Sequence, residues 1–264
     1  RQRQMCIRDS SRLSPVNFQD TQLIGVLARA ESTVSSLSSL LGGLVEKFAA
    51  RGYSLYLVGG SVRDALLGRL GNDLDFTTPA RPEVVKEILD EWAETVWDTG
   101  IDFGTVSAAY KGQQIEITTF RSDSYDGQSR NPEVVYGDTL EGDLVRRDFK
   151  ANAMAIELLA DASFKFHDPL HGLQDIADRV LDTPDKPEIS FHDDPLRMLR
   201  AARFASQLEF RVADRVVEAM RDMAGEIQRI TVERVQVELD KLICGTAPWD
   251  GIDLLVSTGI ADYI

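Results

Sequence analysis

Two aspartates one residue apart, Asp73 and Asp75, lie in the run GNDLDFTT, whose alternating pattern predicts a strand. Side chains alternate along a strand, so both carboxylates share one face while Leu74 and Phe76 point into the core. Two carboxylates that close repel each other unless a cation sits between them, as in Mg²⁺ sites that also use substrate phosphates. An exposed polar face of an ordinary strand is the other reading. Glu116, in QIEITTF with Ile115 and Ile117 on the opposite face, is a third acid that an adjacent strand brings toward the same cations. For Glu116 alone, a solvated strand position stands equally open.

Gly59 and Gly60 close an apolar strand and open a helix in GGSVRD. Such a turn presents backbone N–H groups and the positive helix end to an anion, which suits a triphosphate, although a plain tight turn is as common. Arg63 either reaches phosphate or braces Asp64 and the strand that carries Asp73.

The surrounding pattern must position these groups. One or two helices are expected from Thr21 to Arg51, stopped by Gly52, and then the strand SLYLVGG and the helix SVRDALLGRL. PEVVKEILDEWAETV reads as an amphipathic helix, and TVSAAYKG with QQIEITTF as a hairpin turning near Gly112. A polar loop from Arg121 to Asp143, a helix through ANAMAIELL and a short hairpin around FKFHDPLHG follow. After Ser190 the pattern is helical. The expected fold is an α/β head with a small mixed sheet followed by an all-helical neck, with residues 18–182 as head, 183–264 as neck and start of a body domain, and 1–17 a disordered or non-native lead.

The chain has 264 residues, 43% of them hydrophobic, enough for a sizeable core. Cys6 and Cys244 suggest neither a disulfide framework nor a thiolate zinc site. No apolar run has the length of a membrane span, and the N-terminus lacks a signal-peptide core, so a cytoplasmic protein without membrane contact is expected. A transit peptide is disfavoured by Asp9, Asp20 and Glu31. The net charge of −14 argues against gripping nucleic acid over the whole surface, so any RNA contact must be local. Arg1 at the start and the helical pattern at Ile264 suggest that the sequence is cut at both ends.

The run LVGGSVRDALLGRLGNDLDFTT resembles the signature of the tRNA nucleotidyltransferase and bacterial poly(A) polymerase family, within the polymerase-β-like nucleotidyltransferases. Further matches follow in the family's order. RRDFKANAM resembles its ribose-contacting segment, and DPLHGLQDI, with Asp168, Gly172, Leu173 and Asp175, the motif at the hinge between head and neck. DDPLRMLRAARFA resembles its base-reading helix and ERVQVELDKL the helix that supports it. Lys150 stands where the family commonly has Thr, and Asp193 where its base-reading motif begins with Glu.

The resemblance implies that Asp73 and Asp75 bind two Mg²⁺ ions for in-line transfer of a nucleotide to an RNA 3′-hydroxyl. Arg63 and the Gly59 and Gly60 amides would hold phosphate, and Arg147, Asp148 and Asn152 the ribose. Asp194 and Arg197, three apart on the helix after Pro195, would read the base: the carboxylate accepts from the exocyclic amino group of cytosine or adenine and meets an acceptor on uracil or guanine. An N-cap at Asp194, with Arg197 as its partner, is the bland alternative. Arg200 and Arg203 extend the basic side toward phosphate or line an exposed helix face, while Glu233, Arg234 and Glu238 act as braces.

The implied activity is CMP and AMP addition to the 3′ end of tRNA from CTP and ATP. Three rivals remain: poly(A) addition to varied RNAs, a non-catalytic nucleotide- or RNA-binding module, and a nucleotidyltransferase acting on a small molecule. A poly(A) enzyme favours a basic surface, and a charge of −14 leans away from it. Intact Asp73, Asp75 and Glu116 count against a non-catalytic module, and the RRDFKANAM and DDPLR segments are not needed by a small-molecule enzyme.

Overall fold

The computed structural model describes residues 18–122 and 135–264. The proposed lead, residues 1–17, lies outside the described residues. Helix α1 (Phe18–Ala50) is continuous. Val26, Ala30, Val34, Leu37, Leu41, Leu44, Val45 and Phe48 form its buried stripe at helical spacing, and Gly52, at a φ of +79°, follows its end.

Strand β1 (Leu55–Val58) leads into α2 (Gly59–Leu66), then β2 (Asp73–Thr78) and α3 (Pro82–Asp90). The long helix expected up to Val96 stops at α3, whose buried positions end at Leu89. Thr95–Trp97, β-branched and aromatic, instead forms β3, an edge strand paired with β4 (Thr105–Tyr110). β4 and β5 (Gln113–Thr119) make the expected hairpin, turned by Lys111 and Gly112 at positive φ. Within the stretch expected to be a polar loop, β6 (Arg121–Ser122) pairs with β7 (Val135–Tyr136), and α4 (Leu140–Val145) follows.

The helix expected through ANAMAIELL is a correction. A 3-10 turn spans Lys150–Asn152, and Ala155–Leu158 is strand β8, paired along its full length with β1 and buried at every position. A strand covered on both faces has no alternation, so its apolar run reads the same as a buried helix. Its hairpin partner is β9 (Phe164–His167), so the hairpin lies upstream of the expected one and turns before Phe164.

The seven strands run in the order β3-β4-β5-β2-β1-β8-β9. Only β2 and β5 are parallel neighbours, so the sheet is mixed. On one face Leu55, Leu57, Leu74, Phe76, Val106, Ala108, Ile115 and Ile117 are buried beneath α2 and α3, on which α1 packs. Each fully buried Leu or Phe in this layer contributes roughly 1.5–3 kcal/mol. The other face carries Asp73, Asp75 and Glu116, and at the end near Val58 and Ala155 it is covered by Leu140 and Leu144 of α4.

The described residues divide into two compact units: those up to 147 together with 152–170, and 148–151 together with 171–264. The second holds α5 (Gly172–Asp178), β10 (Val180–Leu181), α6 (Pro187–Asp193), α7 (Leu196–Leu208), β11 (Arg211–Val212), α8 (Asp214–Asp222), α9 (Val232–Ile243) and α10 (Pro248–Ser257). It is mostly helical rather than all-helical, because β10 and β11 form a parallel pair. α7 packs against α9 and α10, and Gly251 permits the close approach: a Cβ there would sit 2.6 Å from the Ala202 carbonyl oxygen.

Candidate active site

Asp75 stands opposite Glu116 across the parallel β2–β5 pair, and Asp73 opposite Gln114. All three acids are exposed while Leu74, Phe76, Ile115 and Ile117 are buried, as the alternation requires. Ser61, buried at the start of α2, locks this strand end in place. Its hydroxyl accepts the Asp75 main-chain N–H at 2.9 Å and donates to the Asp73 carbonyl at 3.4 Å.

The Asp75 carboxyl is pushed above the usual aspartate range, first by the protein crowding it and then by the charges of Glu116 and Asp73, against the pull of Arg147 and Arg63. A carboxylate disfavoured in this way gains from a bound cation. Among the described residues, no group of three or more His, Cys, Asp or Glu is gathered into a closed metal cage. An open pair of carboxylates still fits a divalent ion that takes its remaining ligands from water and phosphate.

Helix α2 begins at Gly59, whose φ of +66° is a conformation that disfavours a side chain. No side chain caps this helix end. A Cβ at Gly59 would lie 3.0 Å from Nη1 of Arg147, so the absent side chain also makes room for that guanidinium. Arg63 is a buried brace. Its Nε and one terminal nitrogen donate to the two oxygens of Asp64 at 3.0 Å each, and Nη1 donates to Oδ1 of Asn152 at 2.7 Å. Arg69 also reaches Asp64, at 3.2 Å. Arg147 pairs with the buried Asp143 at 2.9 Å.

In the second unit, Asp148 is buried and accepts both Nε and Nη2 of Arg200, at 2.8 and 2.7 Å. Burial would lower the Arg200 pKa, but the charges of Asp148 and Glu238 outweigh it and the net direction is upward. Arg203 donates to the buried Glu238; its pKa goes down because burial outweighs that partner. Arg200 and Arg203 are thus held in ion pairs on the partly exposed stripe of α7 that Arg197 and Gln207 share. Arg197 donates to Ser190 at 2.8 Å. Asp194 caps the start of α7 by accepting Leu196 N–H at 3.2 Å, and its other oxygen pairs with Arg234 at 3.2 Å. Lys150 pairs with Asp182 at 2.6 Å, and Arg215 reaches the other oxygen of Asp182 at 2.7 Å.

The first unit therefore gathers Asp73, Asp75, Glu116, Gly59, Gly60, Arg63, Arg147 and Asn152, and the second holds Asp148, Asp194, Arg197, Arg200 and Arg203. Sequence reasoning overlooked Ser61, Asp143 and Asp182. Only Asp143 carried a signal, the four-residue spacing to Arg147, which lies just past the end of α4.

This fold and site define a nucleotidyltransferase head followed by a mainly helical region. Residues 55–182 match the family model described as the poly A polymerase head domain, and residues 209–264 match the probable RNA- and SrmB-binding site of polymerase A. The chain belongs to the family of CCA-adding tRNA nucleotidyltransferases and bacterial poly(A) polymerases.

It is 40% identical over 222 residues to a CCA-adding enzyme of Listeria innocua, covering 84% of this chain and 54% of that protein. It is 43% identical over 213 residues to one of Levilactobacillus brevis, covering 80% and 52%. The crystal structure of the Bacillus stearothermophilus CCA-adding enzyme in complex with CTP matches with a TM-score of 0.76 at 37% identity, covering 86% of this chain and 53% of that one. The chain spans about half the length of the curated relatives it matches, 54% in the Listeria case.

Proposed function

We propose that this chain is the catalytic part of an enzyme that adds CMP and AMP to the 3′ end of tRNA, using CTP and ATP and releasing pyrophosphate. The observation that carries the reading is the acid group of Asp73, Asp75 and Glu116 on the open sheet face, in the same unit as the Gly59–Gly60 turn. The Listeria and Levilactobacillus relatives are CCA-adding enzymes, and solved relatives hold CTP, ATP, or a primer tRNA with an ATP analogue.

In the reaction, the RNA 3′-oxygen forms a bond to the α-phosphorus in line with the departing pyrophosphate, whose bridging P–O bond breaks. Asp73 and Asp75 would hold Mg²⁺, which when bound supplies charge neutralisation of the triphosphate and acidification of the 3′-hydroxyl. Glu116 adds negative charge opposite Asp75. The Gly59 and Gly60 amides receive phosphate oxygens at the positive start of α2. Arg63 fixes Asp64 and Asn152, and Arg147 with Asn152 contributes the ribose contacts that the family resemblance assigns them. In the second unit, the resemblance assigns Asp148 a ribose contact and Asp194 and Arg197 the reading of the base; Arg200 is held by Asp148 and Arg203 by Glu238. A tRNA-processing role fits a cytoplasmic location. No helix among the described residues is long and apolar enough to cross a membrane.

The testing experiment measures nucleotide transfer with Asp73→Ala and Asp75→Ala. Both are expected to abolish it without unfolding the protein, and full activity in either with Mg²⁺ present removes the paired-aspartate mechanism. Addition of long A tracts to varied RNAs would instead support poly(A) polymerase activity.

A further inference from the structure

Asp143 is a buried carboxylate with no part in the chemistry set out above. It lies in the first turn of α4 and is only 2% exposed. One oxygen accepts the Arg121 main-chain N–H at 3.1 Å, and the other accepts Nη2 of Arg147 at 2.9 Å. On its other terminal nitrogen, the Arg147 guanidinium comes up against the Gly59 turn, 3.0 Å from where a Cβ would be.

We propose that Asp143 is a positioning residue, which holds the Arg147 guanidinium at the Gly59 turn so that its charge meets the nucleotide in one orientation. The inference rests on the nucleotide-binding reading of the head unit.

Helix α4 does not need the Asp143 charge in order to form. Thr139 caps it by accepting the Gly142 N–H at 3.2 Å, and Leu140 and Leu144 pack in an apolar cluster with Val58 and Ala155. Val58 directly precedes Gly59, so the helix that carries Asp143 is seated against the strand end that carries the turn. A buried carboxylate has little access to water as an alternative partner, so its two bonds fix its orientation and that of the groups it accepts from. Arg121 lies just beyond the end of β5, the strand of Glu116, so Asp143 joins that strand end to Arg147. Like charges crowd the same place: burial and then the charge of Arg146 hold Arg121 below the usual guanidinium range, with Arg147 acting in the same direction and Asp143 against it. Asp143 is the acid that counters this crowd of arginines.

Asparagine at this position keeps the shape but replaces one acceptor oxygen with an NH₂ group, which then faces a donor. The test measures ATP and CTP binding with Mg²⁺ for the parent chain, Asp143→Asn, Arg147→Ala and the double variant, with melting curves for each. Phenylglyoxal labelling of Arg147, read by mass spectrometry, reports directly whether the guanidinium is pinned.

The expected result is a cooperative melt, faster Arg147 labelling in Asp143→Asn, and nucleotide affinity weaker by about tenfold, the scale of one charged hydrogen bond. The double variant should bind no worse than Arg147→Ala. Unchanged affinity in Asp143→Asn, a loss that adds in full to that of Arg147→Ala, or loss of the cooperative melt each overturns the proposal while leaving the nucleotide site standing. A parent chain that binds neither nucleotide overturns the reading of the site, and the role of Asp143 falls with it.

Discussion

Asp75 and Glu116 face each other across the parallel pair β2 and β5, two register positions from Asp73 and Gln114 on the same side of the sheet, with the pair Leu74 and Ile115 between them buried on the other side. Where β2 pairs with β5, the sheet therefore holds negative charge on its open face and keeps its apolar residues on the other.

The first consequence concerns Asp75→Asn. Because crowding and the Glu116 charge disfavour the ionised carboxyl, neutralising it should leave the metal-free protein at least as thermally stable as the parent at neutral pH. Nucleotide transfer should be lost, and so should any rise in melting temperature on adding Mg²⁺ with ATP. Melting curves with and without both ligands check this. A variant markedly less stable than the parent would mean that the carboxylate serves the fold.

Gly59→Ala probes the turn. At a φ of +66° alanine costs about 1 kcal/mol or more, and its Cβ meets the Arg147 guanidinium. Nucleotide affinity should fall more than stability does. Equal affinity, by titration calorimetry, would show that neither the turn nor the Arg147 placement matters to the ligand.

Asp182 supplies a pH dependence. Burial alone would raise its pKa, but hydrogen bonds from Arg215 and Lys150 outweigh that and hold it below its ordinary value of 3.8. A depressed carboxylate stabilises the fold fully above that ordinary value, and the contribution disappears as pH falls through the lower folded value. Asp182→Asn should therefore cost about 1 kcal/mol at neutral pH, with the gap from the parent closing in acid. Denaturant melts at pH 7 and near pH 3 measure it; a gap that widens in acid contradicts the pairing.

Asp194 separates a cap from a reader of bases. It caps α7 through Leu196 and pairs with Arg234, so Asp194→Ala should lower stability by about 1 kcal/mol in any case. If it also reads the base, discrimination against UTP and GTP should drop roughly ten- to a hundredfold, because the group that opposes a carbonyl has gone. Melting temperature and four incorporation rates from one preparation decide. Lost stability with unaltered selectivity leaves the cap alone.

The paired aspartates, the hairpin at Gly112 and the glycine turn were legible in the sequence because each follows from local spacing or φ preference. β8 was not, since a strand buried on both sides has no alternation to show. The partners of the basic residues were equally hidden. Arg200 could be placed on a helix face, but its pairing with Asp148, 52 positions away, depends on tertiary contact. Ser61 gave no signal either, because its role is to bridge the main chain of a strand that lies next to it only in the fold.

Incorporation of labelled nucleotide into tRNA lacking its 3′-terminal CCA bears on all of this at once. The chain is supplied with Mg²⁺, with each triphosphate in turn, and with tRNA at a concentration high enough to offset the weak binding expected of a surface with net charge −14. CMP and AMP should be added, UMP and GMP should not, and Asp73→Ala should add nothing. Incorporation by Asp73→Ala at the parent's rate would contradict nucleotide transfer at the paired aspartates.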